Sequence, residues 1–75
     1  MILPSKHIRE AQALIGVGAV LLKALDSPKT VTSLWESVRD SKVIGNFERY
    51  VLGLDMLFII GRINLDLGLI SRTMP

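Results

Sequence analysis

Apolar residues recur at helical spacing along the first third of the chain. Ile8, Ala11, Leu14, Ile15, Gly18, Leu21, Leu22 and Leu25 fall on one broad arc when each residue advances about 100°. That is the stripe a helix needs to seat on a core. Ser5 after Pro4 can cap its start, and Ser27 with Pro28 stops it, so the pattern predicts a helix over about 7–26. Lys29, Thr30 and Val31 read as a short extended step. Thr32 or Ser33 then caps a second helix over about 32–42, Ser33 with Glu36 having the capping-box spacing. Gly45 and Asn46 break the chain, and a third helix over about 47–60 ends at Gly61. Beyond it the period changes from helical to two: Ile63, Leu65 and Leu67 alternate with Asn64 and Asp66, and Gly68 permits a turn into Leu69, Ile70 and Ser71. This predicts a β-hairpin over about 62–72.

Helix, short strand, helix, helix, hairpin is the order of a winged helix-turn-helix. The expected fold is mainly α with a small β-hairpin, one winged-helix-like domain over residues 1–75.

The helix faces then bear on function. Beside the core stripe of the first helix runs a strip of mostly small residues, Ala13, Val17, Val20 and Ala24, which suits close approach by another helix. Gly16 and Gly18 each cost about 1 kcal/mol against alanine inside a helix and so call for tight packing. The second helix offers Leu34, Trp35 and Val38 to the core, with Trp35 read as core filler rather than as a stacking platform. The third helix, which would enter a major groove in a DNA-binding protein of this architecture, has an inner arc of Phe47, Tyr50, Val51, Leu54, Leu57 and Phe58. Its outer arc is Glu48, Arg49, Leu52, Asp55, Met56 and Ile59. A base-reading face calls for Arg, Lys, Asn or Gln, whereas this one has net negative charge and an apolar ridge of Leu52, Met56 and Ile59. Such a ridge is the pattern of a helix docked in a groove of another protein. Leu52, Met56 and Ile59, with Val17 and Val20, are therefore the candidate partner-binding residues, and burying all five offers roughly 8–15 kcal/mol gross. Association costs about 4–15 kcal/mol.

Composition narrows the classes. Hydrophobic residues make up 49% of the 75 residues and charged ones 21%, more apolar surface than one small core requires. Without cysteine there are no disulfides or thiolate metal sites, and a cytoplasmic location is expected. The N-terminus does not read as a signal peptide, and the longest apolar stretches are about half a bilayer span, so no membrane association is expected. A net charge of +2 is too slight to announce nucleic acid. Lys6, Arg62 and Arg72 are the candidate nucleic-acid contacts, through backbone phosphates only. The single histidine, His7, lacks a companion at metal-ligand spacing and an acid to orient it. No glycine-rich loop can cradle phosphate, so no catalytic, cofactor-binding or metal residue is assigned and the chain is not expected to be an enzyme.

The segments LPSKHI (3–8), DSPKTVTSLWESV (26–38), YVLGLDMLFIIGRI (50–63) and the closing LDLGLISR resemble the middle components of bacterial ABC three-component systems. The likeness covers nearly the whole chain. In that group a small winged-helix-like protein is encoded between an SMC-like or Rad50-like ABC ATPase and an effector, in systems related to the Lamassu type of anti-phage and anti-plasmid defence. The resemblance implies an adaptor that touches DNA only indirectly, through the complex, with no cofactor of its own. A homodimer is compatible with it. The alternatives are a small winged-helix DNA-binding transcriptional regulator and a membrane-active toxin component.

Overall fold

A computed structural model describes residues 5–73, with side chains from Arg9 onward. The elements are α1 (Ser5–Ala24), α2 (Val31–Val38), α3 (Phe47–Ile59), β1 (Ile63–Asp66) and β2 (Leu69–Arg72). Three helices and a two-stranded antiparallel hairpin therefore follow in the expected order, and the fold is mainly α and winged-helix-like.

Local chemistry explains the boundaries. The cap of α2 is Thr30, not Thr32 or Ser33: its backbone is extended and its Oγ1 accepts a hydrogen bond from the Ser33 N–H at 3.0 Å. The cause is tertiary. Lys29, one residue earlier, is held as an isolated β-bridge to Ile70, its N–H donating to the Ile70 carbonyl at 3.0 Å and its carbonyl accepting from the Ile70 N–H at 2.7 Å. The chain therefore leaves the bridge straight into the helix. α2 also ends earlier than its pattern suggests, at Val38, because a turn closed by the Ser41 N–H on the Val38 carbonyl brings Ile44 into the core. Asn46 caps α3, accepting from the Arg49 N–H at 2.8 Å. At the other end Gly61, with φ +75°, closes the helix. The Arg62 N–H donates to the Leu57 carbonyl and the Gly61 N–H to that of Phe58, the bond pair of a Schellman motif.

The core consists of Val17, Leu21, Leu25, Leu34, Val38, Ile44, Tyr50, Leu54, Leu57, Ile63 and Ile70. The two hairpin members are isoleucines on one face, Ile63 and Ile70, and the Lys29 bridge fastens that face to the helices. Trp35 is half-buried among aromatic neighbours, edge-on to Phe47 and tilted against Tyr50, each at 5.2 Å between ring centres. This ring cluster joins α2 to the start of α3, in keeping with a packing role for Trp35. Two expected inner-arc residues of α3 lie at the rim instead. Phe47 and Phe58 are 52% and 38% exposed, since the core closes around Gly53 and Leu54 between them.

Tyr50 is fully buried, and its hydroxyl donates to the Val31 carbonyl at 2.7 Å. Burial pushes its pKa up to about 12 from 10.0. Between those values the unfolded chain has released the phenolic proton while the folded chain keeps it, so stability falls as pH rises through this window, by up to about 1.4 kcal/mol per pH unit. Denaturant titrations at stepped pH should show this slope, and the difference should vanish in Tyr50→Phe, which itself loses about 0.5–1.5 kcal/mol at neutral pH.

The hairpin turn has two central residues, Leu67 and Gly68, both with positive φ (52° and 77°), a pattern of type I′. Leucine is poorly suited to that conformation, and its side chain is 94% exposed. Leu67→Asn should relieve about 1 kcal/mol and raise the melting temperature by about 4–8 °C in a thermal scan.

Candidate functional site

α1 and α3 cross at two glycines. A Cβ on Gly53 of α3 would lie 2.5 Å from Cγ1 of Val17 and 3.1 Å from Cδ1 of Leu21. A Cβ on Gly18 of α1 would lie 2.7 Å from Cε of Met56 and 3.3 Å from Cδ2 of Leu57. Each helix thus uses a missing side chain to receive an apolar one from the other.

This crossing corrects the expected partner surface on α1. Val17 is fully buried, and Val20 is half-buried against the core, so these two residues pack within this chain. The physical reason is Gly53, a position without a side chain, which opens a slot on α3 that Val17 fills. With Val17 turned inward, Ile15, expected in the core, turns outward and is 63% exposed. Among the α1 residues whose side chains are described, full burial begins at Val17; from Arg9 to Gly16 none is fully buried.

On α3 the three ridge residues separate. Met56 is half-buried, its methyl lying over Gly18. Leu52 and Ile59 remain outside at 49% and 84% exposure. They stand seven residues apart, about 10 Å along the helix axis, with the lowered Met56 between them. The apolar face is therefore two separate points rather than one ridge.

Leu52 belongs to a concavity. It lines a groove of about 520 Å³ between the first half of α1 and the start of α3, together with Leu14, Ala11 and Ala13. Glu10, Asn46, Glu48 and Arg49 complete the lining. Leu14, expected in the core, is half-buried and forms part of this wall. The groove thus has an apolar floor and a polar rim with two carboxylates and one guanidinium, none of them ion-paired with another described residue; among the described residues the ion pair formed is Lys29 with Asp26, at 3.0 Å. That contact holds the Asp26 carboxyl below its ordinary range through the Lys29 hydrogen bond and charge.

The candidate nucleic-acid contacts do not converge on α3. Arg62, one residue before β1, and Arg72, on β2, are exposed, and the side chains of Lys6 and His7 lie outside the described residues. Among the described residues no group of three or more His, Asp or Glu is arranged to hold a metal ion, and no helix is long and apolar enough to cross a membrane.

The family described as ABC-three component (ABC-3C) system Middle Component 6 matches residues 3–72. The chain belongs to that family. The match includes both helices of the crossing, the groove and the hairpin. Comparison with curated proteins finds no match, and comparison with solved structures finds none. Membership in Middle Component 6 makes the chain part of a three-component system, working alongside the other components.

The glycine crossing separates two substitutions that look alike in sequence. Gly53→Ala forces a methyl into Val17 and should cost about 1–3 kcal/mol. Gly16→Ala meets only Val43 at an ordinary 3.6 Å and should be neutral or stabilising by up to about 1 kcal/mol. Paired urea titrations check both.

Proposed function

We propose that this Middle Component 6 chain is a noncatalytic adaptor bridging an SMC/Rad50-like ABC ATPase and an effector in a cytoplasmic anti-phage or anti-plasmid defence complex. The family match supports a role among partners. The observation that carries the reading further is the outer face of α3, where Leu52 stands half-exposed in an apolar groove rimmed by Glu10, Glu48 and Arg49. A leucine kept in a concavity between two helices suits an inserted apolar side chain of a partner. Ile59, two helical turns away, offers a second apolar point on the same helix. ATP and metal chemistry belong to the partners in this reading, and DNA is contacted through the complex.

The regulator alternative draws less support from the same helix. α3 has one cation, Arg49, against Glu48 and Asp55, where a DNA reader needs a positive surface to neutralise phosphates.

The test is coexpression of the chain with the products of its neighbouring genes, followed by affinity purification. Leu52→Asp should reduce copurified partner at least tenfold while circular dichroism and the melting temperature stay near wild type, since Leu52 lies outside the core. Undiminished copurification by Leu52→Asp and by Ile59→Asp would refute the assignment of this face.

A further inference from the structure

The outer face of α3 repeats every seven residues. Glu48 and Asp55 are seven apart, and so are Leu52 and Ile59; at about 100° per residue all four fall within an arc of about 60°. All four are exposed. The face is thus one narrow stripe, about 17 Å long, in which an acid precedes each apolar residue by one turn. It has no cation of its own. Arg49, the single cation of α3, lies about 100° round the axis from Glu48. Its Nη1 is 3.6 Å from where a Cβ on Gly45 would stand, so it reaches back over the preceding loop.

Glu48 has a purpose within the chain, since an acid in the first turn complements the positive end of the helix dipole. Asp55 has none. It stands in the second half of α3, and its neighbours one turn away in either direction are Val51, Leu52, Phe58 and Ile59, all apolar. Neither carboxylate is ion-paired with another described residue. A carboxylate set among apolar side chains penalises any contact that dries this face, unless the incoming surface brings a cation with it.

Resting on the adaptor reading, we propose that the occupant of this face is a helix of a partner protein with the same seven-residue period, presenting one apolar residue and one lysine or arginine per repeat. Its apolar residues pack on Leu52 and Ile59 while its cations meet Glu48 and Asp55, the arrangement by which flanking charges set register and partner choice between paired helices. At the Leu52 end this helix enters the groove, where Glu10 on the α1 wall adds a third carboxylate. The chain as a whole has a net charge of +2, so a cationic helix is drawn to this face and not to the molecule at large. A second copy of the chain does not fit, because two such stripes bring only carboxylates to their junction.

The test uses the complex copurified from cells coexpressing the chain with its neighbouring gene products. Glu48→Lys and Asp55→Lys should each reduce copurified partner about tenfold, and the size-matched Glu48→Gln and Asp55→Asn about threefold. Asp40→Lys makes the same charge change at an exposed site outside α3 and should have no effect. Circular dichroism checks that each variant is folded. The photo-cross-linker p-benzoylphenylalanine, placed at position 48 or 55, should join the chain to a single segment of one partner, at sites about seven residues apart and each within a helical turn of a lysine or arginine. Charge variants that retain the partner at wild-type level overturn the proposal. So does an equal loss with Asp40→Lys, or cross-links to separate segments or to a second copy of this chain. If it is overturned while Leu52→Asp still strips the partner, the adaptor reading stands without the cationic helix; undiminished copurification by Leu52→Asp and Ile59→Asp removes both.

Discussion

The close crossing of α1 on α3 is the constraint on which the remaining structure depends. Gly18 and Gly53 bring the helices near enough for Val17, Leu21, Met56 and Leu57 to interlock, and most of the core is assembled around that contact. A small chain can bury only a limited fraction of its surface. Two glycines whose intrinsic effect on a helix is unfavourable are retained where they allow interior-like packing between just two elements. The other contacts extend this pair. The aromatic cluster sets α2 against the start of α3, and the Lys29–Ile70 bridge sets the hairpin beneath the helices.

The same crossing shapes the surface left for partners. It draws Val17 and Met56 inward and leaves Leu52 and Ile59 outside, at separate places on α3. From Arg9 to Gly16 no residue of α1 is fully buried, and Ala11, Ala13 and Leu14 of this stretch form the wall of the groove that contains Leu52.

Much of the fold was legible in the sequence because its signals are local. Proline, glycine and the change from helical to alternating spacing mark all three helices and the hairpin in order. The ends of α2 were less legible: Thr30 becomes its cap because Lys29 is held by Ile70, forty-one positions away in sequence, and Ile44 enters the core from a loop with no periodicity to announce it. The site was legible in part. Leu52 and Ile59 are outward as the spacing of α3 predicts, while Val17, Val20 and Met56 are drawn inward to different degrees. Leu14 in the groove wall was read as core. The one usable signal for that exchange was Gly53, a gap in the apolar side of α3 facing a helix that itself contains Gly18.

By itself the sequence determined which segments are helical, where they stop, and that the third helix has an acidic and apolar outer side instead of a basic one. These are properties of neighbouring residues, set by backbone preference, capping and side-chain period. Only the tertiary structure decided how burial on α1 is shared between its two apolar strips, Leu21 and Leu25 from one and Val17 from the other, since a helix with apolar residues on both sides can rotate to meet whatever its neighbour presents. The slot at Gly53 chose Val17, and that rotation determined which hydrophobic side chains remain for another protein.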